Sequence, residues 1–162
     1  MVPFHAPLGP GELLSRYSFV EPLLRGRRVL ELGGLPITGG ASALALAERG
    51  AAAVMSVDDD AALVEEAARS VTHPFVQFRA GPVQQLPQGA FDLVLLADGA
   101  PLAANPERVA ELASLLAPRG HLVTTLPAAG GLHLAAFGGE EPTVDVPSYQ
   151  SFIEALATRF DA

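Results

Sequence analysis

The stretch Arg28-Val29-Leu30-Glu31-Leu32-Gly33-Gly34-Leu35-Pro36-Ile37-Thr38-Gly39-Gly40 joins a short β-like run to a glycine-rich loop. Residues 28–32 predict a strand, and residues 33–40 a loop. Directly after it, Ala43, Leu44, Ala45, Leu46 and Ala47 predict a helix over residues 42–49, stopped by Gly50. A second strand fits residues 53–57, and Asp58, Asp59 and Asp60 follow it. Asp60 is placed to cap a helix over residues 61–70, because its carboxylate can accept from the free N–H groups of the first turn.

Further along, residues 75–79 predict a third, alternating strand. Residues 91–96 are nearly all apolar, as a central parallel strand covered on both faces must be. Residues 106–116 predict a helix, Pro118-Arg119-Gly120 a turn, and residues 121–126 a fifth strand. Upstream, residues 12–24 space Leu13, Leu14, Tyr17, Val20, Leu23 and Leu24 as a helix that Pro22 ends or kinks. Strand and helix thus alternate from residue 28 to 126, the pattern of a parallel sheet with right-handed crossovers. Ligands of such sheets bind beyond the carboxyl ends of the strands, where the strand order reverses. The informative residues should therefore follow the strands.

Five segments, in order, carry a resemblance. They are Arg16, Tyr17, Phe19, Pro22, Leu24 and Gly26 leading into residues 28–33; Glu31 with Gly33; Val57-Asp58; Leu86-Pro87 before Phe91-Asp92-Leu93-Val94; and Leu115 to Val123 around Pro118-Arg119-Gly120. Together they resemble the core of the class I S-adenosylmethionine methyltransferases. The resemblance implies a Rossmann-like three-layer α/β/α fold with a mostly parallel sheet, and S-adenosylmethionine as the ligand. It implies that Asp58, with Asp59 beside it, meets the ribose hydroxyls, since each carboxylate oxygen can pair with one O–H. Glu31, Gly33 and Gly34 shape the start of the loop, Gly39 and Gly40 its end, and Asp98 after the fourth strand faces the pocket mouth. Asp98 has a capping or loop role as its alternative. No catalytic side chain need be visible, because methyl transfer from a sulfonium depends on alignment more than on acid–base help.

The sequence departs from that family in three places. The loop is longer by about three residues, counted between Glu31 and Gly50 against the spacing that places the loop glycines. The extra residues bring Leu35, Pro36 and Ile37. Either the loop bulges aside and leaves Gly39 and Gly40 on the pocket, or its bulk takes the space of the methionine moiety. After the third strand stands Gly81-Pro82, where many relatives have an aspartate that meets the adenine amine. Finally, residues 132–137 and 143–146 suggest a hairpin and residues 148–160 a helix, so the sheet is shortened or the chain is a piece of a longer protein.

Composition narrows the rest. There is no Cys and no Lys, which excludes disulfides, thiolate metal sites and Schiff-base chemistry. His5, His73, His121 and His133 are too scattered for a metal site. The net charge of −8 repels phosphate backbones, so no nucleic-acid partner is expected. No apolar run reaches membrane-spanning length, and residues 1–10 hold no secretory pattern, so a cytoplasmic location is expected. Residues 1–11 read as an arm and residues 12–162 as one domain. The glycine spacing does not suit a nicotinamide dinucleotide. Two functions stay open. One is a non-catalytic methyltransferase-like domain serving as an interaction or scaffolding module, through a protein partner or self-association. The other is an active methyltransferase on an unknown small-molecule or protein acceptor.

Overall fold

The computed structural model describes residues 9–99, 101–102, 105–125 and 149–160. Five strands form one sheet: β1 (Arg28–Leu32), β2 (Ala53–Asp58), β3 (Val76–Ala80), β4 (Phe91–Leu96) and β5 (Leu116–Thr124). Their order is β3-β2-β1-β4-β5, and every pairing is parallel. The order reverses between β1 and β4, so the switch point lies over the carboxyl end of β1. The Rossmann-like fold expected of the sequence is the fold observed.

Helices cover both faces. On one lie α1 (Pro10–Tyr17), α2 (Glu21–Leu24) and α4 (Ala41–Glu48), whose Leu13, Tyr17, Leu24, Ala43 and Leu46 bury against Val29, Val54, Leu93 and Leu95. On the other, α6 (Pro106–Leu115) and α7 (Tyr149–Ala157) bury Val109, Leu112, Leu115 and Phe152 against Leu30, Leu32, Val57 and Val94. Adjacent residues of β1 therefore feed opposite layers, as the two-residue period of a strand requires.

Several local readings shift. Pro22 does not kink a long helix; α1 ends at Tyr17, a 3-10 turn follows, and Pro22 sits in the first turn of α2, where a missing N–H costs nothing. The Pro118-Arg119-Gly120 turn is an irregularity inside β5: Phe91 pairs with Leu116 but Leu93 with His121, and Arg119 takes a positive φ of 63°. The segment expected to be loop over residues 33–40 contains a helical turn, α3 (Leu35–Thr38). Asp60 caps α5 (Ala61–Ser70) as its position predicts, accepting from the N–H groups of Ala62 at 2.9 Å and Leu63 at 3.2 Å. The expected hairpin over 132–146, the arm over 1–8 and His5 and His133 lie outside the described residues.

At the amino ends of the central strands, Arg28 clamps Asp92. Its backbone N–H and Nε donate to Oδ2 at 2.9 and 3.1 Å, and Nη2 donates to Oδ1 at 2.9 Å. The side-chain and backbone bonds of Arg28 hold the Asp92 carboxyl down at about 2, against an ordinary 3.8. A depressed carboxylate stabilises the fold above its unfolded pKa and loses that contribution as pH falls through the folded one. Acid titration of unfolding should therefore show stability falling between about pH 4 and pH 2, and Asp92→Asn should flatten that part of the curve. An unchanged slope in Asp92→Asn would remove the clamp from the account.

Candidate functional site

Three strand ends meet at the switch point. The last β1–β2 pair is Leu32 with Val57, and the last β1–β4 pair is Leu32 with Leu96. One residue further on, Asp58, Gly33 and Ala97 therefore stand side by side. Gly33 is exposed with φ 77°, and a Cβ there would touch that of Ala97 at 3.4 Å. Asp58 is half-buried, and its Oδ1 accepts from the Asp60 N–H at 2.9 Å, which fixes the turn after β2. Oδ2 accepts no bond within the described residues. Asp59 and Asp98 are both exposed.

Below this rim lies Glu31, fully buried. Its Oε2 accepts from Ser56 Oγ on β2 at 2.7 Å, and the Ser42 hydroxyl of α4 lies beside the carboxyl. Tyr17 Oη, reaching in from α1, and Glu31 Oε1 each lack a partner in hydrogen-bonding geometry, yet the two groups sense one another. Burial pushes the Glu31 carboxyl up, against the opposing pull of the hydroxyls of Ser42, Ser56 and Tyr17. Burial, and then Glu31, push the Tyr17 phenol up. An ionised carboxylate at this depth would cost several kcal/mol without a cation, and no ion pair reaches Glu31 among the described residues.

Gly34 seals the cluster. A Cβ on it would run into the Glu31 carboxyl. Only a residue without a side chain lets the loop cross so closely above the buried acid.

Beyond Gly34 the chain does not lie open as a glycine cradle. It winds into α3, with Pro36 in the first turn and Gly39, at φ 60°, closing the turn by donating to Leu35 O at 2.8 Å. Thr38 Oγ1 donates to Gly34 O at 3.0 Å and also meets Ser42 Oγ at 2.8 Å. Leu35 is fully buried among Leu63, Val64 and Ala67 of α5 and Phe78 of β3. Ile37 packs on the layer that holds α1 and α4. Burying Leu35 contributes about 2 kcal/mol to folding.

The expected site residues therefore fall into separate places. Gly33 and Asp58 come together at the switch point, and the chain reaches Asp98 one residue past Ala97. Glu31 and Gly34 meet beneath it. Gly40, at φ 100°, is buried, and a Cβ there would sit 2.9 Å from Phe78 Cζ. Gly39 instead lines a cleft of about 260 Å³ with Leu35, Pro36, Leu63, Glu66, Ala67 and Ser70. Gly81 donates its N–H to Asp58 O at 3.0 Å, and Pro82 leads into a 3-10 turn.

Sequence reasoning passed over several participants. Arg16 reaches from α1 to the strand ends: Nη1 donates to Thr125 Oγ1 at 2.8 Å, and Thr125 Oγ1 donates to Ala97 O at 2.6 Å. Ser56 had one local signal, a hydroxyl in an otherwise apolar stretch of β2. Among the described residues no group of His, Asp and Glu could hold a metal ion, and no helix is long and apolar enough to cross a membrane.

The profile of the methyltransferase domain family matches residues 28–124, more than half of the chain. The chain belongs to the methyltransferase domain family. No curated protein matches it. Among solved structures it is similar to a chain of the complex between the Haloferax volcanii Trm112 methyltransferase activator and a methyltransferase, at 20% identity and TM-score 0.65, covering 92% of this chain and 65% of that one. It is similar to an S-adenosylmethionine dependent methyltransferase from Mesorhizobium loti, at 17% identity and TM-score 0.64, covering 91% and 81%. It is also similar to the [4+2]-cyclase SpnF, at 22% identity and TM-score 0.67, covering 91% and 56%. These likenesses establish the fold, class I methyltransferase-like, and the chain spans less than two thirds of two of those relatives.

Two measurements test the buried cluster. Gly34 has helical φ −81° and ψ −30°, which alanine adopts freely, so the cost of Gly34→Ala is the contact alone. That cost should be about 2 kcal/mol in urea unfolding, and should shrink by more than half in a Glu31→Ala background. Full additivity would mean that the two residues do not press on each other. Because Glu31 keeps its proton longer when folded than when unfolded, stability should decline as pH rises above about 4.5. Glu31→Gln should gain on the parent as pH rises above about 4.5; a parent that gains on the variant would reverse the sign assigned here.

Proposed function

We propose that this domain is a non-catalytic member of its family, serving as a protein-interaction or scaffolding module in the cytoplasm. The observation that carries the reading is Leu35. The backbone between Gly33 and Gly39, which in an open loop would face a ligand, is wound into a helical turn whose first side chain is core. A methionine tail requires bare backbone at close range, and here that backbone is committed to holding α5 and β3. Gly40 is likewise committed to Phe78. The relative bound to an activator protein supports a partner for this one as well, and the cyclase relative is a reminder that the fold does not dictate methyl transfer.

A second reading rests on the strand ends themselves. Asp58 Oδ2, exposed Gly33 and Asp98 all follow the carboxyl ends of the central strands, which supports S-adenosylmethionine binding by an active enzyme. In that case Asp58 holds the ribose hydroxyls, Gly33 gives close backbone approach and the sulfonium supplies the methyl group. The acceptor is a small molecule or a protein.

Calorimetric titration with S-adenosylmethionine and S-adenosylhomocysteine separates the two. The non-catalytic reading expects neither heat nor thermal stabilisation at millimolar ligand. Deleting Leu35, Pro36 and Ile37 should then create affinity that Asp58→Ala removes, provided the deletion variant keeps its far-UV spectrum. Micromolar binding by the parent chain, lost in Asp58→Ala, overturns the reading whatever the deletion variant does.

A further inference from the structure

We infer that the corner built from residues 19–27 and the turn between α4 and β2 docks a short acidic segment of a partner protein. The segment sets an apolar side chain against Phe19 and Leu23, and its carboxylates against Arg25 and Arg27. The inference rests on the interaction-module reading and names the surface where that interaction occurs. From Ser18 to Leu24 the chain passes from a 3-10 turn into α2 without leaving helical backbone. Tyr17, Val20 and Leu24 turn inwards and are buried. Phe19 and Leu23, four positions apart, share the outward side, and Phe19 is 85% exposed and Leu23 37%. Apolar residues exposed singly are ordinary. Here two of the three large apolar side chains left exposed among the described residues stand on one helical turn.

Charge defines the occupant. The Gly26 N–H donates to Gly50 O at 2.9 Å and the Ala52 N–H to Arg27 O at 2.9 Å, which joins the end of α4 to this corner. Arg28 is taken by Asp92, and Arg49 lies 4.0 Å from Glu21. Arg25 and Arg27 are exposed and form no ion pair among the described residues; Arg27 acts on Asp92 only through space. Against these four arginines stand Glu21, Asp92 and Glu48, so the corner is positive while the chain as a whole carries −8.

The screening length in cellular salt is about 8 Å. A short segment docked here therefore feels the local arginines more than the acidic remainder of the chain. An anionic bilayer or a nucleic acid extends far beyond that length and meets the acidic remainder, as a second copy of the chain does. A guanidinium pairs with a carboxylate through two parallel N–H bonds, and an aromatic ring of the partner gains by packing on Phe19. The corner lies at the amino ends of β1 and β2, whereas Gly33 and Asp58 lie at their carboxyl ends. Docking surface and candidate cofactor site are thus at opposite ends of the sheet.

The test is a ¹⁵N NMR titration of the full 162-residue chain with a blocked glutamyl-phenylalanyl-glutamate peptide. Arginyl-phenylalanyl-arginine and glutamyl-alanyl-glutamate are its counterparts. Saturable shifts are expected with the first peptide at the amides of Phe19, Leu23, Arg25, Arg27 and Gly50. The basic peptide should bind at least about fivefold more weakly, and the alanyl peptide about threefold more weakly. Arg25→Gln and Arg27→Gln should each weaken the acidic peptide about threefold, as exposed ion pairs warrant. Phe19→Ala should weaken it about threefold with the unfolding midpoint unchanged, because so exposed a side chain adds little to the core. Equal binding of the acidic and basic peptides, shifts centred elsewhere or absent at millimolar peptide, or parental binding by Phe19→Ala would each overturn the inference. So would concentration-dependent shifts at these amides without peptide, which make the occupant a second copy, or Phe19-dependent cosedimentation with phosphatidylserine vesicles, which makes it a membrane. Cofactor titration bears on the carboxyl ends of the strands and peptide titration on the amino ends, so the two readings fail separately.

Discussion

A carboxyl group buried at the end of the central strand sets the terms for everything around it. Among the described residues no ion pair reaches Glu31, and a buried acid without one is pushed towards its neutral form and needs hydroxyls and close packing to be tolerated. Those come from three directions: Ser56 on β2, Ser42 on α4 and Tyr17 on α1. Gly34 then closes over it. The position of α1 across the sheet, the start of α4 and the path of the loop all meet at this one buried carboxyl.

The loop above that cluster shows how few residues separate a ligand cradle from a piece of core. Pro36 sits in the first turn of a short helix, Gly39 ends it in a left-handed conformation, and Leu35, its first residue, packs against α5. Each is an ordinary local preference. Together they make this stretch of backbone support packing instead of lying as an open loop.

Much of the fold was legible because parallel strands and their crossover helices leave strong local marks. Residues 28–32, 53–57 and 91–96 read as strands from their apolar runs, and Asp60 as a cap from its position. Topology placed the informative positions after the strands, and the resemblance named Asp58 and Gly33 among them. What escaped was of two kinds. Glycine and proline, read as loop formers over residues 33–40, instead bracket a helical turn, because they are stop and start signals as well as breakers. The bonds of Glu31 to Ser56 and of Arg16 to Thr125 join residues far apart in sequence, for which no periodicity exists. The pairing of Leu93 with His121 belongs with them: a turn-like Pro118-Arg119-Gly120 is absorbed as an irregularity inside β5 because β4 continues alongside it.

The bond from Arg16 to Thr125 spans 109 positions. A chain made from its amino end has exposed α1 to solvent long before its anchor exists. Leu13 and Tyr17 have no finished surface to cover until Leu93 and Leu95 are in place, and closing so large a loop is entropically slow. The full packing of α1 therefore waits on β4 and on the residues that follow β5. Any chain that stops short of β4 leaves Leu13 and Tyr17 without the surface they cover in the finished domain.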